Sequence, residues 1–383
     1  NTSGLCFGTY GKGRFVWYGF DIITVVGQRE EFVVLDKLIR NSLYWLSKKP
    51  SAYIVDWPGN KKAAAIVVAS VGEEPENIKN LLPLLSSSGI KATFLVDGAS
   101  ASSSSNLIKS LSGYGDVAGV VDIGFMNSVN DTVNKLDKLE IQSADFSGAI
   151  KTFKTSTGTK VQGIKPLYGL FDDNSLMAAA SSGVKYIITD SLTDRSVPKY
   201  VVKGEEAIIT VTKTVRDDKE IVGKYGLKDH DFQLYTYLED VDRLLFEGGL
   251  YVLKLHTNYQ LKPENIAVVK DIFKYFKEKD IWVTSMPVLY NWWTNKNKVE
   301  LRVEARGSTR MVIAVSNVGT TNLKEVLIPV DFTSMPGTYK ISSEIINTPL
   351  PETEINRELK KLTLRVKDLK SSESRIYYID YKN

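Results

Sequence analysis

Only two histidines, His230 and His256, and one cysteine, Cys6, stand in this chain of 383 residues. One thiol makes neither an internal disulfide nor a cysteine zinc cluster. A metal site of two histidines and a carboxylate would consume both imidazoles and leave none to act as an acid. His256 closes the apolar run Leu250–His256, where a strand presents its last side chain, whereas His230 lies in the polar stretch Arg216–Tyr237. General acid catalysis by His256 alone, with no activated water, is worth about 10²-fold. The plainer reading of His256 is a hydrogen-bonded structural histidine. Carboxylates also fall near predicted strand ends: Glu73, Glu74, Asp97, Asp122 and Asp190. From these a carboxylate metal site would have to be assembled.

Strands must carry these side chains to one place. From Ala63 to about Val288 short β-branched apolar runs alternate with helical segments. Predicted strands are Ala64–Ser70, Ala92–Val96, Asp116–Ile123, Gly163–Pro166, Lys185–Thr189, Ala207–Thr212, Leu250–His256 and Ile281–Ser285. Predicted helices include Glu76–Leu85, Ser175–Ser182 and Pro263–Lys279, with Gly89 and Gly183 as stops and Asp172-Asp173 as a cap. Such alternation implies a parallel sheet, and seven or eight units favour closure. The Ser/Ala-rich stretch Ala99–Ser105 reads as a loop or weak helix start, and Arg216–Tyr237 as an irregular excursion.

The flanks differ in character. Arg14–Phe20 reads as a buried strand and Glu31–Leu46 as an amphipathic helix, with Leu35, Leu38, Ile39, Leu43 and Leu46 at helical spacing. After Asn291-Trp292-Trp293, where the tryptophans suit packing at a domain boundary, short alternating strands and turn signals follow. The expected architecture is therefore α/β: a distorted (β/α) barrel of seven or eight units over 61–295 and a C-terminal antiparallel β-sandwich of immunoglobulin type over 296–383. Residues 1–60 resemble the last strand and helix of a flavodoxin-like or amidotransferase-like segment. They imply a missing N-terminal domain of the same precursor, and the start at Asn1 reads as a trimmed end.

Composition is that of a globular chain, with 43% hydrophobic and 25% charged residues. A net charge of +4 on 49 basic and 45 acidic residues calls for neither nucleic acid nor an anionic membrane. The longest apolar run, Ala63–Ala69, falls short of the roughly 20 residues a spanning helix needs.

Several short motifs occur in an order that resembles the polysaccharide deacetylases, carbohydrate esterases that use a divalent metal to remove acetyl groups from glycans. Gly89-Ile90-Lys91-Ala92-Thr93-Phe94-Leu95-Val96 is similar to the family's Gly-Ile-Lys-Ala-Thr-Phe-Phe-Val strand. The preceding strand, which in the family ends in aspartates acting as base and metal ligand, here ends Val68-Ala69-Ser70-Val71. The family's His-x-x-x-His pair falls on Met126 and Asn130, after Asp122-Ile123-Gly124. Thioether, carboxamide and hydroxyl groups replace the donors that zinc prefers. The Arg-Pro-Pro-Tyr-Gly motif appears as Lys165-Pro166-Leu167-Tyr168-Gly169, and lysine offers a point charge where arginine offers a planar fork. Leu253-Lys254-Leu255-His256 matches the Leu-x-x-His motif, whose histidine protonates the leaving group.

The resemblance implies a deacetylase-like pseudoenzyme with Ser70, Met126 and Asn130 as degenerate metal positions, no bound metal, and His256 and Lys165 as vestigial catalytic residues. Tyr168, Asp97 and Asp190 would line a groove for a glycan or cell-surface polysaccharide, and family habit implies a secreted, periplasmic or cell-surface setting. Two other readings stand beside it. One is an active deacetylase holding zinc in a rebuilt carboxylate site, and the other a purely structural module.

Overall fold

The computed structural model describes residues 4–21, 33–122, 135–158, 160–167, 169–190, 196–203 and 205–382. The chain divides into two compact units, Lys61–Thr294 and the paired segments Asn1–Asn60 and Asn295–Asn383.

The first segment opens with strands β1 (Leu5–Tyr10) and β2 (Gly13–Tyr18), antiparallel from Leu5 opposite Tyr18 to Tyr10 opposite Gly13. Gly11 supplies the positive φ of 56° that the turn needs. The expected buried strand at Arg14–Phe20 is thus half of a two-stranded hairpin with Phe15 and Trp17 exposed. This antiparallel pairing differs from the parallel strand of a flavodoxin-like segment. Helix α1 (Val33–Ser47) follows, and Arg14 Nη1 donates to the Trp45 carbonyl at 2.6 Å. Leu43, placed by periodicity on the apolar stripe, is exposed. A two-residue strand, β3 (Ser51–Ala52), and a 3-10 turn at Pro58–Asn60 follow.

The second unit runs β4 (Ala64–Val71), α2 (Leu82–Ser88), β5 (Ala92–Asp97), α3 (Gly98–Ser103), α4 (Ser105–Leu111), β6 (Gly115–Val121), α5 (Lys135–Thr157) and β7 (Gly163–Pro166). It continues with α6 (Asp173–Ser181), β8 (Tyr186–Thr189), β9 (Lys199–Lys203), β10 (Glu206–Thr212), α7 (His230–Glu247), β11 (Leu250–His256), α8 (Ile266–Glu278), β12 (Trp282–Thr284) and α9 (Met286–Lys296). Nine strands make one curled sheet in the order β11-β4-β5-β6-β7-β8-β10-β9, with β12 beside the first residues of β4. All pairings are parallel except β9 with β10. Strand β4 has partners along both edges and is buried on both faces, so its sequence is an unbroken apolar run rather than an alternation.

The path of the described strands runs from β11 at one end to β9 at the other as a curled sheet. The antiparallel β9 turns back along β10 and leaves an edge, and the five-residue strand carries lysine at both ends, as short edge strands do. The Ser/Ala stretch is the helix pair α3 and α4, and the polar excursion contains a π-helical turn at Lys219–Lys224 and the start of α7. Alternate strand residues, among them Val67, Ala69, Leu253, Leu255 and Phe94, join Phe146, Leu244 and Phe276 of the helices in one core.

Seven strands complete the first unit: β13 (Val299–Arg306), β14 (Arg310–Asn317), β15 (Leu323–Asp331), β16 (Thr338–Ser343), β17 (Glu352–Asn356), β18 (Lys361–Leu369) and β19 (Ser374–Lys382). They form two antiparallel four-stranded sheets, β13-β14-β19-β16 and β17-β18-β15-β3. Ile313 and Tyr377 of one sheet and Ile328 and Leu364 of the other belong to a single core that also takes in Ala52. Strand β17 is exposed along its whole length, so it carried no alternation to find.

Candidate functional site

The carboxyl ends of the parallel strands set the site. Ala69, Val71, Leu253 and Leu255 face the core beneath the helices. The pleat therefore turns Ser70, Lys254 and His256 to the other face of the sheet. Register places Ser70 directly beside His256 on one side and Leu95 on the other. Further along, Asp97 and Lys165 are both lateral neighbours of Val120.

Asp190, just past β8, holds two lysines. Lys254 Nζ donates to both of its oxygens, at 2.9 and 2.8 Å, and Lys165 Nζ lies 3.1 Å from Oδ2. Burial raises the Asp190 pKa, but the Lys254 and Lys165 ammoniums outweigh it and hold the carboxyl at about 2. Lys254 shows the opposite balance, because burial lowers its pKa by more than Asp190 restores and the charge of Lys165 adds to the loss. Both directions follow from a nearly buried amine sharing one carboxylate with a second amine. The network extends through Asp217, 3.8 Å from Lys254 and 3.1 Å from Lys213, whose Nζ also donates to Glu220 at 2.8 Å.

His256 belongs to a second group. Its Nδ1 meets Asp218 Oδ1 at 2.5 Å, and Asp218 Oδ2 accepts from the backbone N–H groups of His256 and Gln260 at 2.6 and 3.1 Å. With Nδ1 turned to Asp218, Nε2 is the ring nitrogen directed away from that carboxyl. Asp218 is fully buried and fixes the ring's orientation.

The other predicted residues are occupied elsewhere. Asp97 caps α3, accepting from Ser100 N at 2.7 Å and from Ser100 Oγ at 3.1 Å. Glu74 pairs with Lys262 at 3.0 Å, which lowers its pKa, and Glu73 accepts from Asn258 at 3.1 Å. Asp122 is exposed after β6. Asp172 caps α6 in a capping box with Ser175. His230 stands at the start of α7 between Asp231 and Asp271, 2.9 and 3.0 Å away. Met126, Asn130 and Tyr168 lie outside the described residues.

Among the described residues, no group of three or more His, Cys, Asp and Glu side chains is placed to hold a metal. The strand-end carboxylate that comes nearest to the need, Asp190, already carries two ammonium groups. Asp218, Lys254, Asp217 and Lys213 were missed in the sequence. Lys254, a charge inside an apolar strand, was the available signal, since a buried cation demands a partner. Asp217-Asp218 sat in the stretch read as irregular.

Comparison with known structures places this geometry in a fold. A putative polysaccharide deacetylase from Mycobacterium smegmatis superposes with a TM-score of 0.52 at 16% identity, over 64% of this chain and 94% of that one. A probable polysaccharide deacetylase from Pseudomonas aeruginosa PAO1 gives 0.51 at 15%, over 63% and 94%. The PuuE allantoinase gives 0.51 at 15%, over 63% and 93%. No family model and no curated protein matches the sequence. Somewhat under two thirds of this chain thus shares the fold of these polysaccharide deacetylases and the PuuE allantoinase.

Proposed function

We propose that this chain is a polysaccharide-deacetylase-like protein that no longer performs metal-dependent deacetylation and uses the strand-end face of its parallel sheet to bind carbohydrate. The observation that carries this reading is the Lys165–Asp190–Lys254 clamp, together with Ser70 beside His256 at the strand end where the family keeps its aspartates. Two ammonium groups on the nearest carboxylate oppose a divalent cation, while a lysine and acid lining offers donors and acceptors to sugar hydroxyls. His256, held by Asp218, presents Nε2 toward the same face as one more polar contact. On this reading the open sheet is a distorted (β/α) barrel, the two four-stranded sheets are a β-sandwich, and the setting is the cell surface or outside the cell.

The test pairs two assays on the intact chain. Acetate release from acetylated chitooligosaccharide with added zinc should stay at background, and binding of the same oligosaccharide should weaken about tenfold or more in His256→Ala. Acetate release abolished by a chelator contradicts the loss of activity, and unchanged binding in His256→Ala contradicts the strand-end face.

A further inference from the structure

At the opposite end of the parallel sheet, the residues that lead into β4, β5 and β12 and the adjoining faces of α2 and α8 enclose a cleft of about 650 Å³. That volume lies within the range of ligand sites. Four lysines line it, Lys61, Lys270, Lys274 and Lys277, against one acid, Asp280. Asp280 is paired with Lys61, and Lys274 lies 3.7 Å from Glu278. Among the described residues neither Lys270 nor Lys277 has an acidic partner.

Three of these lysines fall at i, i+4 and i+7 of α8, which puts them in one row. A helical rise separates them by about 6 and then about 4.5 Å along the axis. Lysines on a convex helix face are ordinarily just solvated. Here they rim a concavity whose walls include Leu84, Ile90 and Ile281, and low-dielectric walls concentrate the field of like charges. Trp282 adds the edge of an aromatic surface. A single small anion would use one or two of the charges and none of the apolar wall. A linear polymer that repeats a carboxylate at short intervals and offers C–H faces between them would use both.

We propose that this cleft binds an acidic polysaccharide chain of the polyuronate type, with Lys270 and Lys277 as the principal anion contacts. The site is separate from the strand-end face and rests on the cleft alone. The experiment is titration of the intact chain with a homogeneous oligogalacturonate, repeated with its methyl-esterified form and with inorganic polyphosphate. Oligogalacturonate should bind, with affinity falling as salt rises; the neutral ester should bind at least about tenfold more weakly, and polyphosphate should not be preferred. The double variant Lys270→Glu/Lys277→Glu, at exposed positions with no packing role, should weaken oligogalacturonate binding about tenfold or more. The charge-matched double variant Lys109→Glu/Lys151→Glu, exposed on α4 and α5 away from the cleft, should leave it unchanged. No binding, equal binding of the ester, or full affinity in the double variant overturns the site. Preference for polyphosphate overturns the carbohydrate class. An equal loss in Lys109→Glu/Lys151→Glu makes the effect one of net charge and overturns the cleft.

Discussion

Asp190 and Asp116 are two half-buried carboxyls that the fold treats in opposite ways, and pH separates them. Two lysines hold the Asp190 pKa at about 2, below the ordinary 3.8, so its contribution to stability is complete above pH 4 and fades as pH falls toward 2. Asp190→Asn leaves Lys165 and Lys254 facing each other, with Asp217 the nearest remaining acid, 3.8 Å from Lys254. The expected cost is about 2–4 kcal/mol at pH 7 and distinctly less at pH 3, read from urea unfolding at both. Asp116 sits near the other end of the strands, accepting from Thr93 Oγ1 at 2.8 Å and from the Tyr186 hydroxyl. Burial raises its pKa to about 6. A raised carboxyl favours folding below its unfolded pKa and loses that advantage as pH climbs through 4 to 6. Asp116→Asn should therefore gain on the wild type across that interval, by on the order of 2–3 kcal/mol at its end. A stability difference that stays flat from pH 4 to 7 would show that Asp116 carries no such burden. Only part of this was legible beforehand. Asp190 was marked by its place after an apolar strand, whereas Asp218 was hidden because its link to His256 spans 38 residues.

At the scale of elements, close approach between strands decides which glycines are fixed. A Cβ at Gly163, the first residue of β7, would lie 1.7 Å from the Tyr186 ring of β8, which is fully buried. Gly148 is an exposed position inside α5, where an added methyl would meet nothing within 4 Å. Gly163→Ala should cost more than about 3 kcal/mol, since neither backbone nor ring can yield cheaply. Gly148→Ala should stabilise by roughly 0.5–1 kcal/mol through helix propensity. Thermal unfolding of the pair checks both signs. Strands buried on both faces, such as β4 and β11, were readable because their apolar runs are continuous. Edge strands β9 and β17 were not, since one carries lysines and the other is wholly exposed. Helix α5 was also missed, its apolar and polar residues being too evenly mixed to mark a face.

For the whole molecule, the order of strands and helices made the α/β class legible, and the motif series pointed to the fold that the structural comparisons then gave. Closure of the sheet was not legible, because it depends on where β9 pairs and not on any local pattern. The proposed loss of metal chemistry rests on that frame together with Ser70 at a strand end, Asp190 held by two lysines, and His256 oriented by Asp218. The decisive measurement is zinc titration of the chelator-stripped intact chain with metal content read at each step. No stoichiometric zinc is predicted, with the bound metal staying far below one per chain. One tightly held zinc per chain would contradict the loss of the metal site.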